Sequence, residues 1–159
     1  MAFQRKRQVL SPKEALPKLM RYCSFQERSH REVRVKLNDF FLTESEIDEV
    51  ISELITQNFL NEERYAIAYA GGKFRTRKWG RIKIEQMLKF NEVSERNIKK
   101  ALDEIPSTDY NNAITEVAIK RLESEKEKDP LKRKFKTANY LMSRGFENDL
   151  IFKVLEELL

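Results

Sequence analysis

The chain has 159 residues, 36% of them charged and 40% hydrophobic, with four glycines, four prolines and a formal net charge of +5. That is the length of one average domain, and the scarcity of turn formers excludes collagen and Pro- or Gly-rich low-complexity sequence and argues against a β-sandwich. No apolar run approaches the ~18 residues of a membrane span, no apolar stretch of leader type follows the basic segment 1–7, and the single cysteine, Cys23, cannot make an internal disulfide, so a reducing, cytoplasmic setting is expected.

Helix starts recur along the chain. Ser11-Pro12-Lys13-Glu14 is a capping box with proline in the first turn, and Ser29-His30-Arg31-Glu32 and Thr43-Glu44-Ser45-Glu46 repeat the box. Weaker starts follow at Asn61, Ser94, Ser107 or Thr108, Asp129-Pro130 and Asn148. Gly80 reads as a break between two helices and Gly145 as the residue just past a helix end, whereas Gly71-Gly72 falls inside a helical pattern. The expectation is nine helices, at about 12–24, 30–41, 44–57, 62–77, 81–90, 95–104, 109–124, 131–143 and 148–158.

The apolar positions of these helices superpose. Leu37, Leu88 and Leu141 are each followed ten residues on by Ile47, Ile98 and Ile151, fourteen on by Ile51, Leu102 and Leu155, and seventeen on by Leu54, Ile105 and Leu158. Leu42, Val93 and Phe146 correspond as well, so the spacing is 51 residues and then 53. Nine helices with that period predict an all-α fold, an elongated and curved array of three tandem three-helix repeats. The expected units are 11–58, 59–106 and 107–159, after a basic N-terminal arm at 1–10. One such unit is too small to be stable alone, so neighbours are expected to cover one another. Most of the aromatics are expected in the core or between repeats.

Charge is strongly divided. Residues 44–63 hold seven acids and no base, and residues 73–89 hold seven bases and one acid, Glu85. The basic stretch predicts a surface for phosphates or an acidic protein groove, carried by Lys73, Arg75, Arg77, Lys78, Arg81 and Lys83, with Lys132 and Arg133 as an extension. Six bases on six phosphates would give a log–log salt slope of about −5. The competing reading is a solvated helix face whose bases pair with acids of a neighbouring repeat.

Catalytic chemistry has little to work with. His30 is the one histidine, set among Arg28, Arg31 and Arg34, which would depress its basicity. One histidine and one cysteine cannot build a zinc site, and no Gly-rich phosphate loop occurs. No enzyme, metal or cofactor is expected.

Phe59-Leu60-Asn61-Glu62-Glu63-Arg64-Tyr65-Ala66, then Tyr69-Ala70, Arg75 and Lys78-Trp79-Gly80-Arg81-Ile82, resembles the central signature of the RecX regulatory proteins. In the first repeat Ser29, Glu32, Val33, Lys36 and Leu37 match that family's Ser-x-x-Glu-Leu-x-x-Lys-Leu pattern, with Val33 in place of leucine; Asn61 stands where aspartate is usual, and both cap helices. The resemblance spans about residues 14–158. It implies a bacterial cytoplasmic protein, monomeric, that binds the filament of the RecA recombinase on single-stranded DNA and modulates it, as an inhibitor, in homologous recombination, DNA repair and the SOS response. In that setting the acidic helices of 44–63 would face basic protein surface or neighbouring repeats. The alternative is a DNA-binding module of helix-turn-helix type acting without RecA, its turn at Gly80.

Overall fold

The computed structural model describes residues 8–159. Within them the chain forms nine helices and no strand: α1 (Pro12–Phe25), α2 (His30–Asn38), α3 (Glu44–Thr56), α4 (Glu62–Arg77), α5 (Arg81–Phe90), α6 (Glu95–Asp103), α7 (Ser107–Ser124), α8 (Pro130–Ser143) and α9 (Asn148–Leu158). The caps expected at Ser11, Ser29, Thr43, Asn61, Ser94 and Asp129 all accept backbone N–H bonds. Three details differ. α7 begins directly after Pro106, which offers no capping side chain. α2 stops at Asn38, short of 41, because Phe41 takes a left-handed conformation (φ 58°) that ends the turn. The Ser29 box closes on one side only, since Glu32 lies 3.4 Å from the Tyr65 hydroxyl rather than on the cap's own N–H.

The period seen in the apolar residues is repeated in the backbone. Phe41, Glu92 and Gly145, 51 and 53 residues apart, all have positive φ (58°, 61° and 93°). Each precedes an apolar residue in or packed on the core (Leu42, Val93, Phe146) and then the N-cap of the third helix of its trio: Thr43, Ser94, Glu147. In the third copy the cap differs in kind, because the Glu147 carboxylate makes no capping bond and turns to Arg81 and Tyr110.

Each trio packs on itself: α1 with α2 and α3, α4 with α5 and α6, α7 with α8 and α9. The cores are not three, however. Residues from Tyr65 to Leu155 form one continuous buried cluster spanning α4–α9, with Tyr110 and Phe146 among its largest fully buried side chains. Tyr110 links Phe74 of α4, at 5.8 Å between ring centroids, to Phe146, at 5.7 Å. The first trio keeps a separate core around Leu19, Leu37, Ile47 and Leu54. Mutual cover by apolar faces therefore holds between the second and third trios and not between the first and second. The reason lies in the residues that meet there: Glu27 accepts from Arg64 at 2.5 Å, Arg31 lies over the Phe90 ring at 4.4 Å, and Glu32 accepts from the Tyr65 hydroxyl at 3.4 Å.

The accessible surface, 10556 Å², exceeds the ~8,400 Å² expected of a folded monomer of this mass, and still exceeds it after about 1,300 Å² is set aside for the seven residues outside the described part. That is the surface cost of lining up small units. The part of the expected N-terminal arm at 1–7 lies outside the described residues.

Ser29 is fully buried and caps α2 through its hydroxyl, 3.0 Å from the Glu32 amide. Ser29→Ala is expected to destabilise the first trio by about 1 kcal/mol, read as a lower midpoint in urea unfolding followed by circular dichroism.

Candidate functional site

The basic stretch 73–83 runs through the last turn of α4, the connection Lys78-Trp79-Gly80 and the first turn of α5. The connection is short because Lys78 adopts a left-handed conformation (φ 54°), closing α4, and Gly80 starts α5 directly. It is clamped to the third trio by backbone: the Gly80 N–H donates to Arg144 O at 2.8 Å and the Ile82 N–H to Gly145 O at 3.0 Å.

The eight cations expected to act together are placed in four different situations. Arg75 and Arg77 are exposed, and among the described residues neither has a carboxylate partner; Lys132, exposed at the start of α8, is in the same position. Lys73 and Lys83 flank the ring of the single tryptophan, Trp79, at 5.1 and 4.6 Å from its centroid. Lys78 and Arg81 pair across the junction with acids of the third trio, Lys78 with Glu116 at 3.8 Å and Arg81 with Glu147 at 2.9 Å. The band thus divides between an open surface and the inter-repeat pairing that stood as its rival.

Arg81 is the most deeply committed. Its guanidinium stacks on Tyr110 at 3.7 Å, and its backbone N–H donates to the Tyr110 hydroxyl at 3.0 Å. That hydroxyl in turn donates to Glu147. Burial, and then the bond to Glu147, push the Tyr110 phenol well above its ordinary range, so it stays a donor at any physiological pH. A recognition helix presents its first residues to base edges; here the start of α5 is held against the third trio. This geometry does not suit the helix-turn-helix reading of Gly80.

Arg133 likewise has a local task, donating to Leu122 O at 2.5 Å near the end of α7, where helix carbonyls lack partners. Lys132 lies about 18 Å along the α8 axis from Arg144, the α8-end residue nearest the 73–83 band. The two basic clusters are therefore not one patch.

Three other cations complete a cleft at the junction. Lys78, Lys120, Arg121 and Arg144 line a cavity of about 290 Å³, with Glu116 and Tyr140 in its wall. Glu116 accepts from Lys120 at 3.3 Å as well as facing Lys78. Arg121 pairs with Glu125 at 3.2 Å and lies 4.7 Å from the Tyr140 ring. Arg144 donates to Arg77 O, which ties the end of α8 to the end of α4. The i, i+4 spacing of Glu116 and Lys120 was a readable sign that they share a face. Nothing local marked Arg144, whose role depends on a partner 67 residues away.

The acidic stretch 44–63 is engaged within its own trios. Glu44 and Asp48 bind Arg34 at 3.3 and 2.8 Å, Glu62 accepts from Asn97 at 2.6 Å, and Glu63 meets Lys100 at 2.7 Å. Among the described residues no group of three or more His, Cys, Asp or Glu could hold a metal ion, and no helix is long and apolar enough to cross a membrane.

Two family models match the chain, one described as the second three-helix domain of RecX at residues 61–102, the other as the third at 108–155. Similar curated proteins include the regulatory protein RecX of Clostridium acetobutylicum, 33% identical over 135 residues, covering 82% of this chain and 62% of the relative. That of Clostridioides difficile is 29% identical over 147 residues, covering 92% and 68%, and that of Streptococcus uberis 28% over 131 residues, covering 82% and 50%. The chain spans half to about two thirds of the length of these relatives. The fold is shared with the crystal structure of RecX from Lactobacillus salivarius, at a TM-score of 0.84 and 23% identity over 92% of this chain and 96% of that one. A second crystal structure of a regulatory protein RecX superposes at 0.83 with 20% identity, covering 92% and 71%. Helices in trios, signature residues and both models agree: the chain belongs to the RecX family of regulatory proteins.

Proposed function

We propose that this chain is a non-catalytic regulator of the RecA recombinase, acting as a monomer in the bacterial cytoplasm and binding the RecA filament on single-stranded DNA so as to inhibit it. The units 11–58, 59–106 and 107–159 are the modules of that binding. The reading rests on family membership, and the observation that carries it to a surface is that, of the eight predicted cations, Arg75 and Arg77 at the end of α4 and Lys132 at the start of α8 are exposed without carboxylate partners. An extended row of small helical units suits a helical groove, and cations free of internal pairing are the ones able to meet phosphates or acidic protein.

The test is disassembly of RecA filaments on single-stranded DNA, followed in real time as the protein is added. Reversing Arg75, Arg77 and Lys132 to glutamate should weaken the effect severalfold while helicity stays unchanged. Unaltered potency of the triple variant sinks this assignment. Arg81 and Arg133 are left out of the variant because their loss would disturb packing first.

A further inference from the structure

We propose that the cleft between the end of α4, α7 and α8 seats a backbone phosphate of single-stranded DNA, with Lys78, Lys120, Arg121 and Arg144 as its cations. The setting rests on the RecA-filament reading above; the site itself rests on geometry. Four cations face one wall carboxylate, Glu116, in about 290 Å³. The Nε atoms of Arg121 and Arg144 are both buried and have no hydrogen-bond partner in the protein. A guanidinium offers its Nε–H and a neighbouring N–H as a fork that matches two oxygens of one phosphate. Here both forks are half used: Arg121 spends an Nη on Glu125 and Arg144 an Nη on Arg77 O, and each buried Nε–H is left without a partner in the protein.

Glu116 acts as a placeholder. It holds Lys78 and Lys120 at 3.8 and 3.3 Å and is itself half exposed, so an entering phosphate can displace it and take both ammonium groups. The surroundings favour nucleic acid over an acidic peptide. Trp79 follows Lys78 directly and stands between Lys73 and Lys83, and Arg75 and Arg77 continue the cations along α4. An aromatic ring beside a track of cations is how single strands are held, by stacking and backbone contact together. Because the cleft takes Lys78 from the second trio and the rest from the third, it exists only while the two are docked.

The experiment is fluorescence anisotropy of a labelled oligothymidylate titrated with the full chain over a series of salt concentrations. Lys78→Gln with Lys120→Gln should lower the log–log salt slope by up to about 0.7, the share of one phosphate, which is about fivefold weaker binding near 0.1 M salt, with the curves converging toward 1 M. Arginine at both positions should restore binding. Glu116→Gln should tighten it, a gain that misfolding cannot imitate. An unchanged slope in the lysine pair, no tightening with Glu116→Gln, or displacement of the oligonucleotide by polyglutamate at equal charge overturns the phosphate seat. Parallel RecA assays separate the two claims. A parent chain that leaves RecA untouched defeats the filament reading while the anisotropy still judges the cleft. Lysine variants that bind like the parent while RecA inhibition persists defeat the cleft alone.

Discussion

Gly80→Ala should destabilise the protein by about 3 kcal/mol, the upper range for overpacking a filled site. A Cβ built at Gly80 would lie 2.2 Å from Gly145 O, 2.3 Å from Gly145 C and 2.4 Å from Phe146 N. All three are backbone atoms, so no side chain can swing away. The same approach is seen from the other side, where a Cβ at Gly145 would meet Lys83 Cβ at 2.3 Å and its backbone N at 2.6 Å. Relief requires α5 to move off the turn between α8 and α9. That breaks the Gly80 and Ile82 bonds to the third trio and loosens the core running from Tyr65 to Leu155. The melting temperature should fall by roughly 6–12 °C for a chain of this size. Gly72→Ala is the control of opposite sign: it sits inside α4, a Cβ there meets nothing within 4 Å, and replacing a helical glycine should stabilise by about 0.5–1 kcal/mol. A loss under 1 kcal/mol for Gly80→Ala in urea unfolding would refute the backbone contact.

Leu37→Ala should cost 2–5 kcal/mol, and the cost should be local. Leu37 is fully buried in the first trio's own core, which shares no apolar cluster with the other six helices. The variant should therefore unfold in two stages, α1–α3 first, where the parent shows one broader transition. Cys23 reports on it. The thiol is buried in that core, and burial pushes its pKa from 9.0 up to about 11. Near neutral pH it reacts only when the trio opens, so a loss of 2 kcal/mol should speed its modification about 30-fold. Gly80→Ala should leave the rate nearly unchanged. Equal acceleration by both variants would mean one cooperative unit rather than two. The pH dependence has a definite sign. The native thiol holds its proton above the pH at which the unfolded one releases it, so its contribution is intact below about 9 and declines as pH rises toward 11.

These two variants bear on how the family's modules are joined. The second and third trios are fastened by apolar packing, two backbone bonds and the Arg81–Tyr110–Glu147 set. The first is attached through polar groups, Glu27–Arg64 and Glu32–Tyr65, whose remaining carboxylate oxygens, Glu27 Oε2 and Glu32 Oε2, are buried without a partner. A buried acceptor left unpaired is costly, so this junction is held less firmly than the other. A chain built this way joins two of its units through a shared core and the first through polar contacts.

Local chemistry made the helices legible. Ser11, Thr43, Asn61, Ser94 and Asp129 cap helices because a short side-chain oxygen reaches an amide two or three residues on, and that depends only on neighbours in sequence. The threefold period was equally readable, since the same apolar spacing must bury the same helix faces in each unit. The candidate site was readable only as a list of charges. Arg75 and Arg81 look alike in sequence, six residues apart in one basic run, yet one is exposed and the other stacks under a buried tyrosine with its charge on a glutamate 66 positions away. The sequence by itself determined nine helices, their caps and their repeat, because capping and amphipathic spacing act over a few residues. Only the tertiary structure decided which units share a core, why two glycines meet at Gly80 and Gly145, and which cations remain free, because those outcomes depend on pairs of residues the chain brings together from far apart.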